Sequence, residues 1–168
     1  MAIKNIKHRC IKAGFDLLNE DKVSVNADTF KIMLSKVLGI LRENGIYSFF
    51  VWLEEEGAGT PGDKGKFKET VLAARSIYNT SLQLLLSDEL SIFKERIEEE
   101  LDSNINMIKD LTIDNNEDWL KIVENVNDIF VVEDIFEPDE IFLITEIFEQ
   151  FMTYSLYKAK AKKGDNNG

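Results

Sequence analysis

The Asn44-Gly45 step interrupts the most apolar stretch of the chain, and this break constrains the fold more than any other feature. Upstream of it, Phe30, Met33, Leu34, Val37, Leu38 and Leu41 recur at i, i+3, i+4, i+7, i+8 and i+11. That spacing puts them on one face of a 3.6-residue helix. Asp28 is positioned to accept from the free amides of the first turn as an N-cap. At Gly45 the chain has a residue that tolerates positive φ, the usual way a helix ends. Downstream, Ile46, Tyr47, Phe49, Phe50, Val51, Trp52 and Leu53 are interrupted only by Ser48. Nearly every face of this second helix is apolar, so it is expected at the buried centre.

The rest of the chain supplies helices to surround that pair. A first helix is predicted over about Ile3 to Asn19, with Ile3, Ile6, Cys10, Ala13, Gly14, Leu17 and Leu18 inward. The glycine-rich run Gly57 to Lys66 is a surface loop. A helix over about Phe67 to Leu86 turns Phe67, Val71, Arg75, Tyr78, Leu82 and Leu85 to one side. Ser87-Asp88 is the expected cap of the next, near Glu89 to Lys109, with Phe93, Ile97, Leu101, Ile105 and Ile108 inward. Asn116 is the expected cap of a helix to about Phe130, burying Trp119, Leu120, Val123, Val126 and Phe130. Val131 to Glu137 is open to a short strand, because it is rich in β-branched residues. Pro138 then starts a last helix where its missing amide costs nothing, with Ile141, Phe142, Thr145, Phe148, Phe151, Met152 and Ser155 as its stripe. The expectation is an all-α, compact bundle of six or seven helices.

At 168 residues the chain fits one helical domain over 1–163, with 164–168 as a disordered tail. A domain of this size buries roughly 70% of its unfolded surface and needs neither metal nor disulfide to hold a core. The single Cys10 has no internal disulfide partner, which fits a reducing, cytoplasmic setting. Lys4, Lys7, His8, Arg9 and Lys12 break up the first residues, so no signal-peptide pattern is expected. The longest uncharged run, Ser76 to Ser87, is too short to span a bilayer, so no membrane partner is expected.

The net charge of −11 is unevenly distributed. Lys4, Lys7, Arg9 and Lys12 lie near one end and Lys158, Lys160, Lys162 and Lys163 near the other, while all but one of the 31 acidic residues lie between them. Such a chain is an acidic body with two basic ends. Either the charge merely keeps the surface solvated, or the ends touch a polyanion while the body faces protein partners.

No catalytic constellation is present. His8 is the only histidine, which excludes two-histidine metal sites and leaves a Ser-His-Asp triad no other base. Cys10 falls on a different side of the helix from His8 and on its apolar stripe. The glycine loop contains no GxxxxGK[ST] phosphate cradle. Asp114 to Asp118 begins like a calcium loop, yet Trp119 stands where the turn glycine belongs and Asn125 where the bidentate glutamate belongs. Glu95 and Glu98 are spaced like the magnesium-binding carboxylates of all-α nucleotide pyrophosphatases, but glutamate-rich helix faces are common. The chain is expected not to be an enzyme, with no cofactor, metal or small-molecule substrate.

The central pair resembles the small helical subunit family of type III-B (Cmr) CRISPR–Cas effector complexes. Members of that family look like a helix ending in Asn-Gly-Leu followed by a very apolar helix with an aromatic near its end. Leu38, Leu41, Asn44-Gly45-Ile46, Phe49, Trp52 and Leu53 fit that outline, with Ile46 replacing the leucine and Leu38 standing where the family often has proline. Phe67 to Leu86 with Tyr78 is similar to the family's next helix, and Leu156-Tyr157-Lys158 with Lys160 looks like its closing basic element, without the tryptophan. Ser87 to Val132 matches nothing in it. The resemblance implies a non-catalytic subunit that stacks with copies of itself and with other CRISPR effector subunits, bracing the complex and helping line the channel for guide RNA and target RNA. Lys4, Lys7, Arg9, Lys12, Lys158, Lys160, Lys162 and Lys163 are then the candidate contacts to the RNA backbone. The competing class is an acidic helical protein-binding module, an inhibitor or antitoxin, whose interface would be Glu54 to Glu56 and Glu95 to Asp102.

Overall fold

The structure, a computed structural model, describes residues 5–19, 25–59, 67–101 and 111–166, with the backbone alone at 101 and 163–166. Six α-helices and no strand are found among them: α1 (Ile6–Leu17), α2 (Ala27–Gly57), α3 (Glu69–Leu85), α4 (Ser91–Leu101), α5 (Asn116–Asn127) and α6 (Pro138–Asn166). Ile3, Lys4, residues 60–66 of the expected glycine-rich loop, Ile105, Ile108 and residues 167–168 lie outside the described residues.

Gly45 breaks α2 into two arms as its sequence predicts. Its φ of 87° and ψ of −176° lie where only glycine is comfortable. The start of α2 is tied to the first residue of α3 and its end to the middle of the same helix. Asn26 and Thr29 donate to the Glu69 carboxylate at 2.8 and 3.0 Å, while the Glu54 carboxylate accepts from the Tyr78 hydroxyl at 2.8 Å. α2 packs along α3 on one side and α6 on another, and α6 packs in turn on α1.

The core is held by a run of touching rings. Trp119 meets Tyr78, Tyr78 meets Phe50, Phe50 meets Phe130, Phe130 meets Phe136, and Phe136 meets Phe93, at centroid separations of 4.9, 5.2, 4.9, 5.4 and 5.6 Å. These edge-on and tilted pairs add to the burial of the rings themselves. The second arm of α2 sends Ile46, Phe49, Phe50 and Leu53 into this core. Tyr47 and Val51 instead stand exposed, and Trp52 is half-buried against the core. The expectation that the whole arm is central therefore holds for one face only.

Other local expectations shift by a residue or a turn. Asn26, not Asp28, caps α2, accepting from the Thr29 amide at 2.8 Å. Asn115, not Asn116, caps α5 through the Asp118 amide at 3.1 Å. Ser87 does not cap the 3₁₀ turn Asp88–Leu90 with its side chain, because its hydroxyl donates back to the Leu84 carbonyl at 2.6 Å. Asp128–Val132 is a π-helical turn, not a strand. On α6 the buried stripe runs through Ile144, Ile147, Phe148, Phe151, Met152 and Ser155, and Phe142 points to solvent, as does Leu120 on α5.

Candidate nucleic-acid interface

α1 and α6, from Ile147 onward, run parallel and very close. The Cys10 thiol donates to the Ile147 carbonyl at 3.7 Å, and a Cβ on Gly14 would sit 3.0 Å from the Ser155 hydroxyl oxygen. Further along, the Lys158 ammonium lies 4.5 Å from the centroid of the Phe15 ring, and Lys162 donates to the Leu18 carbonyl at 2.5 Å. Residue numbers rise together on both helices, so both finish at the same edge of the molecule.

The ends of the two helices carry four of the eight predicted cations, two of them in contact across the pair. Lys12 and Lys160 are exposed, while Lys158 and Lys162 are half-buried against α1. Lys162 reaches an orphan carbonyl at the end of a helix that has no basic residue in its own last turn. Its charge therefore meets the negative end of the α1 dipole. The remaining cations do not join them. Lys7 is exposed about three turns back on α1, about 16 Å from Leu18 along the axis. Arg9 faces the 3₁₀ turn, 3.9 Å from the Glu89 carboxylate, with its Nη1 buried and unpartnered. The side chain of Lys163, like Lys4, is outside the described residues.

Sequence reasoning overlooked the aromatic side chains at this edge. Phe15 is 52% exposed and Tyr157 62% exposed. Tyr154, half-buried, precedes Tyr157 by three residues and Lys158 by four, so all three share a patch of the α6 surface. Phe15 was detectable, because it falls off the Cys10–Ala13–Gly14–Leu17 stripe while following Lys12 by three residues. Tyr157 also borders an open groove of about 470 Å³ with Arg42, Glu146, Glu149, Gln150, Thr153 and Tyr154. A second groove of about 350 Å³ follows the outer face of α2 past Ile40, Tyr47, Ser48, Val51, Trp52 and Glu55.

The groups with perturbed acidity are structural. Burial pushes the Cys10 thiol up to about 12, against the smaller opposing effect of Arg9, so it is neutral and unreactive at physiological pH. Burial also raises the Glu54 carboxyl, partly offset by the Tyr78 hydrogen bond, and raises the Tyr78 phenol. Among the described residues, no group of three or more His, Cys, Asp and Glu side chains is arranged to hold a metal ion. No helix there is long and apolar enough to cross a membrane. No family model, curated protein or solved structure matches this chain.

Proposed function

We propose that this chain is a non-catalytic structural subunit of a type III, Cmr-type CRISPR effector ribonucleoprotein. In this reading it works in the cytoplasm, stacks beside other effector subunits and copies of itself, and helps line the channel for guide and target RNA. The single observation that carries it is the shared edge of α1 and α6, where Lys158 and Lys162 of an otherwise acidic protein pack on the end of α1, with Lys12 and Lys160 exposed on the same two helices. The Gly45-broken aromatic helix pair supports it from the side of the sequence resemblance. The edge is suited to phosphate contact and not to base reading, since lysine is a point charge on a flexible stem. With a net charge of −11, the isolated subunit binds RNA weakly and gains affinity from neighbours in the assembly.

The test is a tagged pull-down from the native cell, with co-purifying proteins identified and bound RNA sequenced. Repeat-derived guide RNA with a ladder of effector subunits is the expected result. Glutamate at Lys158 and Lys160 should release the RNA-containing fraction. One observation favours a second reading as an acidic inhibitor or antitoxin: the apolar groove of Ile40, Tyr47, Val51 and Trp52 ends on Glu55. A single basic protein recovered without enriched RNA would replace the first reading with that one.

A further inference from the structure

We propose that the edge where α1 and α6 finish is selective for single-stranded RNA, with Phe15 and Tyr157 stacking unpaired bases between lysines that hold the backbone. This rests on the RNA-binding reading above and adds to it a strand preference and two contact residues.

The inference starts from two exposed rings that lie outside the packed core. Phe15 and Tyr157 are each more than half exposed, and neither belongs to the packed run of aromatic pairs in the core. Cations flank both. Lys158 lies over the Phe15 ring and follows Tyr157 directly, Lys160 is three residues beyond Tyr157, and Lys12 is one turn before Phe15 on α1. Exposed π-faces interleaved with ammonium groups are the arrangement that binds single strands, because any unpaired base offers a face to stack and each phosphate finds a counter-charge. A duplex hides those faces and offers only phosphates.

The acidic neighbours favour the same choice. Glu146 and Glu149 border the groove that Tyr157 closes. A stiff duplex laid across the edge would carry its phosphates past those carboxylates. A single strand can bend from Tyr157 towards Phe15 and avoid them. The usable footprint is therefore short, and it runs from α6 to α1.

The experiment measures fluorescence anisotropy with the purified full chain at low salt, using a mixed-sequence oligoribonucleotide and a duplex of equal length. It is paired with ultraviolet cross-linking of the assembly recovered by the tagged chain. Wild type should prefer the single strand. Phe15→Leu and Tyr157→Leu should each weaken its binding about tenfold while the salt dependence stays unchanged. Cross-linked nucleotides should map to peptides containing Phe15 or Tyr157. Thermal melting serves as the folding control, since both side chains are exposed. Equal binding of both probes, unaffected by the leucine variants but reduced by Lys158→Gln, would overturn stacking and leave the phosphate-contact reading intact. A wild type that binds neither probe, in an assembly without RNA, would overturn both. Leucine variants that lose a protein partner while binding RNA normally would reassign the rings to a protein contact.

Discussion

Positive charge is handled in opposite ways at two places in this molecule. Arg75, in the middle of α3, is fully buried. Its Nε donates to the Gly57 carbonyl at 2.8 Å and its Nη1 to the Ile113 carbonyl at 2.9 Å. Its Nη2 reaches the Gly59 carbonyl at 3.3 Å and the Asn116 side-chain oxygen at 2.9 Å. Phe67 and Trp119 cover the guanidinium at 4.3 and 5.2 Å. No described carboxylate is within ion-pair distance of it; carbonyl dipoles and π-faces surround the charge, with Gly57 at the negative end of α2, and the Asp114 carboxylate supports it from further away. The lysines at the α1–α6 edge keep their heads near solvent and lean on one ring and one carbonyl. The buried cation makes four hydrogen bonds inside the protein and is covered by two rings, so it has little to offer a ligand. The edge cations are weakly held, and that availability is what an interface requires.

Breaking the buried side of this contrast should have the largest effect. Arg75→Met should cost about 3–5 kcal/mol in urea denaturation, because several buried oxygens lose their donor at once. Hydrogen exchange in that variant should accelerate together at 57–59 and 111–116, the two segments Arg75 joins. Trp119→Ala, beside it, should cost about 3–5 kcal/mol, and Trp52→Ala, half-buried, roughly half of that. Equal losses at the two tryptophans would mean that the outer face of α2 is more enclosed than described.

Smaller effects sharpen the comparison. Gly45→Ala should cost about 1–3 kcal/mol in the same assay, since alanine is strained at that φ and ψ. Lys162→Gln should cost about 0.3–1 kcal/mol at low salt and less at high salt, by thermal melting, as expected of a surface charge at a helix end. Glu54→Gln should change the pH profile more than the fold. Burial raises the Glu54 carboxyl, so the folded state holds its proton to higher pH than the unfolded chain does. Stability from this group is thus present in acid and lost as pH rises through its folded pKa, above the ordinary glutamate range. Glutamine, still able to accept from Tyr78, should flatten that decline, as read from chemical denaturation across pH.

The sequence made the helices legible wherever one face was strongly apolar. Ile6, Cys10, Ala13, Gly14, Leu17 and Leu18 are all buried, as are Phe93 and Ile97, because periodicity alone determines an inward face. Gly45 was legible because the positive φ it adopts has few alternatives. The errors fall where tertiary neighbours decide. Phe142 is apolar but out of phase with the buried stripe of α6, sharing its face with Glu146 and Glu149 four and seven residues on, so it points to solvent. Asn115 and Asn116 are chemically equivalent candidates for a cap, and Arg75 claims the second. The π turn at 128–132 keeps Ile129 and Phe130 inward, a solution that β-branched composition does not reveal. At the candidate site, the lysines stood out from charge counting. Their division into an edge group and two outliers did not, because it depends on α1 lying parallel to a helix far along the chain.

That parallel pairing sets a timetable for synthesis. The acceptor for the Cys10 thiol is 137 residues away, so the groove that seals the sulfur cannot close until α6 has been made. Contacts this distant in sequence are slow to form, since the chain's freedom is spent before they return anything. An emerging chain therefore carries α1 with its α6-facing side uncovered and its one thiol open to alkylation. Protection of Cys10 in pulse-labelled nascent chains marks the moment the last helix docks, and until then the basic edge does not exist.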